Sequence, residues 1–273
     1  MVNGNRNLIM IDERDLMELS GNFKDVRQLE RDYLLTLLLY EIYSVFSDDL
    51  IFKGGTALKH FFNLNRFSEG LDFTFKGQRA TSGRKYLNDK FDSVLNHVSV
   101  QYEIVRRERR GNKVGNDVIG INHEIRIKGP LNQRLGQLQN IEIDISLRND
   151  IIRKPDLRYI SPVYPDITTF SLPVMNVEEI LAEKIAAMIE RDKMRDIYDI
   201  YYLLAMKNLK YDEKSVEEKM IRRGDVFKKT DIRRKLLEAR SKRKWRSELA
   251  YIVNPVPDNL VVITKLEEAF GLA

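Results

Sequence analysis

The sequence predicts an α+β fold: a mixed β-sheet with helices first, then a mainly α-helical C-terminal region. Three observations predict it. Strand-like alternation clusters between residues 50 and 150, and helical periodicity dominates after residue 177. The chain has 273 residues, 43% of them hydrophobic, enough to build the core of one large domain or two small ones. The expected division is an α/β domain over 1–165 and a helical domain with a basic C-terminal region over 166–273.

Residues 12–47 read as helix, because Leu29, Tyr33, Leu34, Leu37, Leu38 and Ile42 recur at three- and four-residue spacing. Ile51-Phe52-Lys53 runs into Gly54-Gly55-Thr56, where Thr56 is placed to cap a helix over 57–64. In Leu71-Asp72-Phe73-Thr74-Phe75 the apolar residues point one way and Asp72 and Thr74 the other, as on a strand. Residues 77–83 read as a loop and 86–98 as a helix. Further strands are expected over 100–107, 118–127 and 139–147. The last holds Ile141-Glu142-Ile143-Asp144-Ile145, a strict alternation of isoleucine and acid. Residues 149–165 read as connector, with a short strand at Ile151-Ile152. Helices are expected from about Val177, from 196 to 206 and over 260–270. Lys184 and Arg191 then lie two turns apart on one helix face, and Asp196 and Asp199, three residues apart, also share a face.

Composition narrows the chemistry. With no cysteine there is no disulfide, thiolate zinc site or cysteine nucleophile. His60, His97 and His123 are the three histidines, too scattered for a histidine metal site or a Ser-His-Asp triad. Apolar runs such as 34–40 fall far short of the ~20 residues of a membrane span. Asp12, Glu13 and Asp15 stand where a signal peptide has its basic region, so a cytoplasmic protein without membrane contact is expected. The net charge of +5 is unevenly spread: residues 221–250 hold twelve Lys/Arg against four Asp/Glu. A basic region on a mildly acidic body attracts polyanions, nucleic acid above all. Arg106, Arg107, Arg109 and Arg110 form a second cluster, broken by Glu108.

Carboxylates, hydroxyls, Lys/Arg and a hard metal ion remain as chemical means. Gly54, Gly55 and Thr56 at a helix start offer backbone N–H groups, a hydroxyl and the positive helix end, which suit a phosphate. Asp72 and Asp144 on neighbouring strands suit Mg2+ (or Mn2+), which takes oxygen ligands together with phosphate oxygens. The Arg66 guanidinium matches a phosphate bidentately.

The run Phe52-Lys53-Gly54-Gly55-Thr56-Ala57-Leu58, followed by Arg66-Phe67-Ser68 and Leu71-Asp72-Phe73, resembles the AbiEii/AbiGii toxin family of nucleotidyltransferases. A second motif, Glu183-Lys184, Arg191, Arg195-Asp196 and Asp199, resembles the same family, and the likeness covers roughly residues 25–270. It implies a nucleotidyltransferase-like sheet domain and transfer of NMP from an NTP to an RNA acceptor, the 3′ end of tRNA, with Mg2+ and a cognate antitoxin as partner. By the same likeness Lys53, Gly54, Gly55, Thr56, Arg66, Ser68, Lys184, Arg191, Asp196 and Asp199 contact the nucleotide. Asp72 and Asp144 hold metal and, with Lys184, are catalytic. One position departs: Gly70 stands where the family carries the first acid of Asp-x-Asp. Neighbouring side chains on a strand face opposite ways, so Glu69 does not replace it. The departure leaves open a weakened or repurposed enzyme, or an inactivating substitution in an otherwise intact motif. Transfer to a protein side chain and a catalytically degenerate nucleotide- or partner-binding module are the alternative functions.

Overall fold

The computed structural model describes residues 11–77, 81–114, 117–240 and 244–272. The N-terminal helical stretch is broken in two. Helix α1 (Glu13–Glu18) ends in a 3-10 turn over Ser20–Asn22, and α2 (Val26–Phe46) starts afresh. Gly21 lies in the break, where helix propensity is lowest, and the Asp25 carboxylate accepts from the Arg27 N–H to cap α2. Then come β1 (Leu50–Lys53), α3 (Gly54–Phe62), β2 (Gly70–Phe75) and α4 (Thr81–Ser99). The 77–83 loop is thus shorter than expected, with 78–80 outside the described residues. A hairpin follows, β3 (Ile104–Val114) and β4 (Asp117–Ile127), then α5 (Asn132–Leu135) and β5 (Gln139–Ser146). Two strands occupy the stretch read as connector and helix entry: β6 (Asp156–Ile160) and β7 (Phe170–Val174). Ile151-Ile152 forms no strand. The rest is helical: α6 (Val177–Glu190), α7 (Met194–Tyr201) with a π-helical turn over Tyr202–Met206, α8 (Glu213–Arg223), α9 (Lys229–Arg240), α10 (Lys244–Leu249) and α11 (Asn259–Ala269).

The strands form a mixed seven-stranded sheet in the order β3-β4-β5-β2-β1-β7-β6. β2 runs parallel to β5, while β4 is antiparallel to both β3 and β5. The α+β class expected from the sequence is the observed one. Among the described residues, no helix is long and apolar enough to cross a membrane.

The chain forms two compact units. The first comprises the described residues up to Leu50 together with Glu69–Leu147 and Leu157–Pro173. Its core lies where α2 and α4 pack together and α2 lies on β2 and β5. Leu71, Phe73, Ile141, Ile143 and Ile145 fill the inner face and are buried. Because strand side chains alternate, this burial turns Gly70, Asp72, Glu142 and Asp144 to the other face. The second unit joins Ile51–Ser68 and Arg148–Asp156 to everything from Val174 onward. Ile180, Leu181, Ile185 and Met188 of α6 and Ile197 and Ile200 of α7 are buried in it.

Candidate active site

In the first unit the parallel register sets Asp72 directly beside Asp144, and Gly70 beside Glu142. On β4, Asn122 is the register partner of Asp144, and its side-chain amide donates to Asp144 Oδ1 at 2.9 Å. This leaves Asp144 Oδ2 as the oxygen for other partners. A Cβ at position 70 would lie 2.6 Å from the backbone carbonyl oxygen of Glu142. β2 and β5 therefore approach more closely at Gly70 than a side chain allows. Among the described residues, no three carboxylate or imidazole groups converge into an all-protein metal cage. Asp72 and Asp144 are instead a two-carboxylate donor set. That set fits Mg2+, which is held by one or two carboxylates and completes its shell with phosphate oxygens and water.

In the second unit α3 begins at Gly54, not after Thr56. Thr56 is a buried residue of the first helical turn, and the N-cap is Lys53, whose side chain makes no capping bond. The N–H groups of the first turn of a helix lack intrahelical partners, which makes an uncapped start suited to an anion. Gly54 has φ +74°, a left-handed conformation that favours glycine. Gly55 serves close approach: a Cβ there would collide with the Arg66 guanidinium and the Ser68 hydroxyl. Arg66 is buried and committed. Its Nε and Nη2 donate to the two Asp199 oxygens at 2.5 and 2.8 Å, and its Nη1 donates to the Phe67 carbonyl and to Ser68 Oγ.

Asp199 also receives Lys184 Nζ at 2.8 Å. Lys184 reaches Asp196 at 3.3 Å, and Arg191 donates to both Asp196 oxygens at 2.8 and 3.1 Å. Lys184 and Arg191 are not on one helix face. α6 ends at Glu190, and Arg191 is its extended C-cap residue, so the two cations meet through Asp196. Burial pushes Asp196 up, but the Lys184 and Arg191 charges outweigh it and hold its pKa at about 2. Burial likewise opposes the charge of Lys184, and Asp199 and Asp196 overcome it, so its pKa is raised. Arg66 and Lys184 hold Asp199 low in the same way. At Glu183, the residue before Lys184, Lys53 Nζ meets Oε1 at 3.0 Å, and Lys219 Nζ meets the same oxygen at 3.1 Å.

A profile of the AbiEii nucleotidyl transferase toxin family, described as belonging to type IV toxin–antitoxin systems, matches residues 37–271. The chain belongs to the AbiEii toxin family. No curated protein matches this AbiEii-family chain. Among solved structures it is similar to MenT4, a nucleotidyltransferase toxin of Mycobacterium tuberculosis, at 18% identity and TM-score 0.60, over 96% of this chain and 89% of that one. It is also similar to a putative nucleotidyltransferase from H. pylori, at 16% identity and TM-score 0.55, over 91% and 95% of the chains. JHP933 from Helicobacter pylori matches at 19% identity and TM-score 0.51, over 91% and 92%. Identities this low speak to the fold.

In this AbiEii-family chain the sequence reading missed three participants. Asn122 lies in a strand whose alternation was visible, but only the β4–β5 register reveals that it faces Asp144. Glu142 was read as one acid of an alternation, and only the β2–β5 register sets it opposite Gly70. Lys219 lies in a basic helix, and nothing in its local sequence marks it as wholly buried. Trp245 is 5% exposed and its Nε1 donates to the Pro257 carbonyl, so it serves as an anchor of the C-terminal helices. Lys242 and Arg243, in the basic region, lie outside the described residues.

Proposed function

We propose that this chain transfers a nucleoside monophosphate from an NTP to the 3′ hydroxyl of an RNA, tRNA being the first acceptor to test. The observation that carries the reading is the in-register Asp72–Asp144 pair, oriented by Asn122, in a chain of a nucleotidyl transferase family. In the reaction the acceptor oxygen attacks the α-phosphorus, the bond to the β-phosphate bridge breaks, and pyrophosphate leaves. Asp144 Oδ2 accepts the acceptor hydroxyl's proton, its other oxygen being fixed by Asn122. Asp72 and Asp144 hold Mg2+, which when bound supplies charge neutralisation for the phosphates. The backbone N–H groups at Gly54, Gly55 and Thr56 receive the triphosphate, with Lys53 adding charge. Arg66 and Ser68 shape that turn from behind, since their side chains pack where Gly55 lacks a Cβ. Lys184, Asp196 and Asp199 fix the cluster, and Arg191, whose side chain is 49% exposed, is its outward cation, placed to meet phosphate. The basic surface of 221–250 supports a nucleic-acid acceptor: Lys228, Lys229, Arg233, Lys244 and Arg246 are exposed there.

The test is a transfer assay with each labelled NTP, Mg2+ and total tRNA. Label in RNA that disappears with Asp144→Asn supports the reading, and label in protein would move the acceptor to a side chain. Gly70 favours a second reading, a nucleotide-binding module without turnover. That reading predicts NTP binding with no label in either acceptor.

A further inference from the structure

Three glutamates form a cross-strand row beside the Asp72–Asp144 pair. Glu108 on β3 is the register partner of Glu124 on β4, Glu124 of Glu142 on β5, and Glu142 of Gly70 on β2. Glu142 and Asp144 are two residues apart on one strand, so the row and the pair share a face of the sheet. Arginines engage the outer two glutamates. Glu108 accepts from Arg106 and Arg110, and Glu124 lies 3.8 Å from Arg110 and 3.7 Å from Arg126. Glu69, next to Gly70 in the chain, meets Arg31 at 3.7 Å. Glu142 is exposed, and its carboxylate has no ion pair or hydrogen bond among the described residues. Of the three glutamates, the one nearest the pair is thus the one without a cationic partner.

We infer that Glu142 is a further ligand for the divalent cation of the Asp72–Asp144 pair, reaching it across the bare backbone of Gly70. Register and spacing permit the reach. Residues two apart on a strand lie about 6.6 Å from each other, and diagonal neighbours on adjacent strands about 7–8 Å, within the span of a long side chain. A Cβ at position 70 would stand 3.6 Å from the Glu142 Cβ, so a side chain there would crowd that of Glu142. Glycine leaves the space open. Three like charges repel, and the three carboxylates do not converge in this structure. Convergence on a cation needs only rotation of an exposed side chain between staggered rotamers. The Glu142 carboxylate then takes the place of one water on the cation, and no covalent bond changes. A third negative ligand strengthens binding, because the charge carried by the ligands tunes cation affinity. This inference rests on the reading of Asp72 and Asp144 as the metal pair.

The test uses two probe ions on the full chain. Mn2+ affinity is read from the paramagnetic resonance of the free ion, and the waters on bound Eu3+ are counted from its luminescence decay in H2O and D2O. Glu142→Gln should weaken Mn2+ by roughly tenfold and add about one water to Eu3+. Glu124→Gln removes the same charge one strand further out, and should leave both readings at their wild-type values. Because Glu142 is exposed, its variant should melt as wild type does. An unchanged water count in Glu142→Gln, or equal losses of affinity in the two variants, would overturn the inference and leave the pair standing. Asp144→Asn should abolish binding of both ions. Binding that survives that change, or a wild type that binds neither ion, would sink the metal reading of the pair itself, and the role of Glu142 with it.

Discussion

A methyl group added at Gly70 would sit 2.6 Å from the Glu142 carbonyl oxygen, which belongs to the backbone of a central strand and has little room to retreat. Gly70→Asp should therefore destabilise the chain by about 1–3 kcal/mol in chemical denaturation. Gly70→Ala should cost a similar amount, since the first added carbon makes the clash. His123 gives a second residue-scale expectation. It is buried, stacked on Phe91 with ring centroids 3.8 Å apart, and its Nε2 has no hydrogen-bond partner among the described residues. Burial, with Arg109 and Arg107 nearby, lowers its pKa from 6.5 to about 3. The unfolded chain then binds a proton that the folded chain refuses between those values, so stability falls as pH drops from 6.5 toward 3. His123→Leu should remove about 2–4 kcal/mol of that loss, read as a flatter plot of melting temperature against pH.

At the scale of elements, α7 and the 65–68 segment are joined by charge inside the second unit. The Arg66–Asp199 pair has side chains 4% and 0% exposed, so removing one partner strands the other in the interior. Asp199→Ala should cost about 3–5 kcal/mol, against less than about 1 kcal/mol for Arg191→Ala at the half-exposed end of the cluster. Asp196, held at about 2 against its usual 3.8, contributes stability that is present above pH 3.8 and lost as pH falls toward 2. Most elements were legible because burial writes a period into the sequence: Ile141, Ile143 and Ile145 announce β5, and the spaced leucines announce α2. Two kinds were not. β3 runs on through Arg109–Lys113, a polar edge segment whose place comes from pairing with β4 and not from alternation. The end of α6 at Glu190 falls inside a run of good helix formers, where the Arg191–Asp196 bonds accompany the extended backbone.

For the molecule as a whole, the division of charge makes a prediction about salt for the proposed RNA acceptor. Log affinity should fall linearly with log salt concentration. Replacing Lys228, Lys229 and Arg233 with Gln should flatten that slope, by nearly one unit for each phosphate no longer neutralised. An unchanged slope would move the nucleic-acid surface away from α9. The site was legible as residue types and spacing: both motifs, the carboxylates and the departure at Gly70 stand in the sequence. Its wiring was not, because Arg66 with Asp199, Asn122 with Asp144 and Lys53 with Glu183 are distant in the chain and meet only through the fold.

That distance has a meaning in time. Arg66 and Asp199 are 133 residues apart, and Lys53 and Glu183 are 130 apart. On a ribosome adding ~5–20 residues per second, roughly ten seconds pass between the making of the first partner and the second. Through that interval the glycine turn exists without the acids that secure it. Completion of the second unit therefore waits on the helices from α6 onward, which leave the ribosome long after the glycine turn.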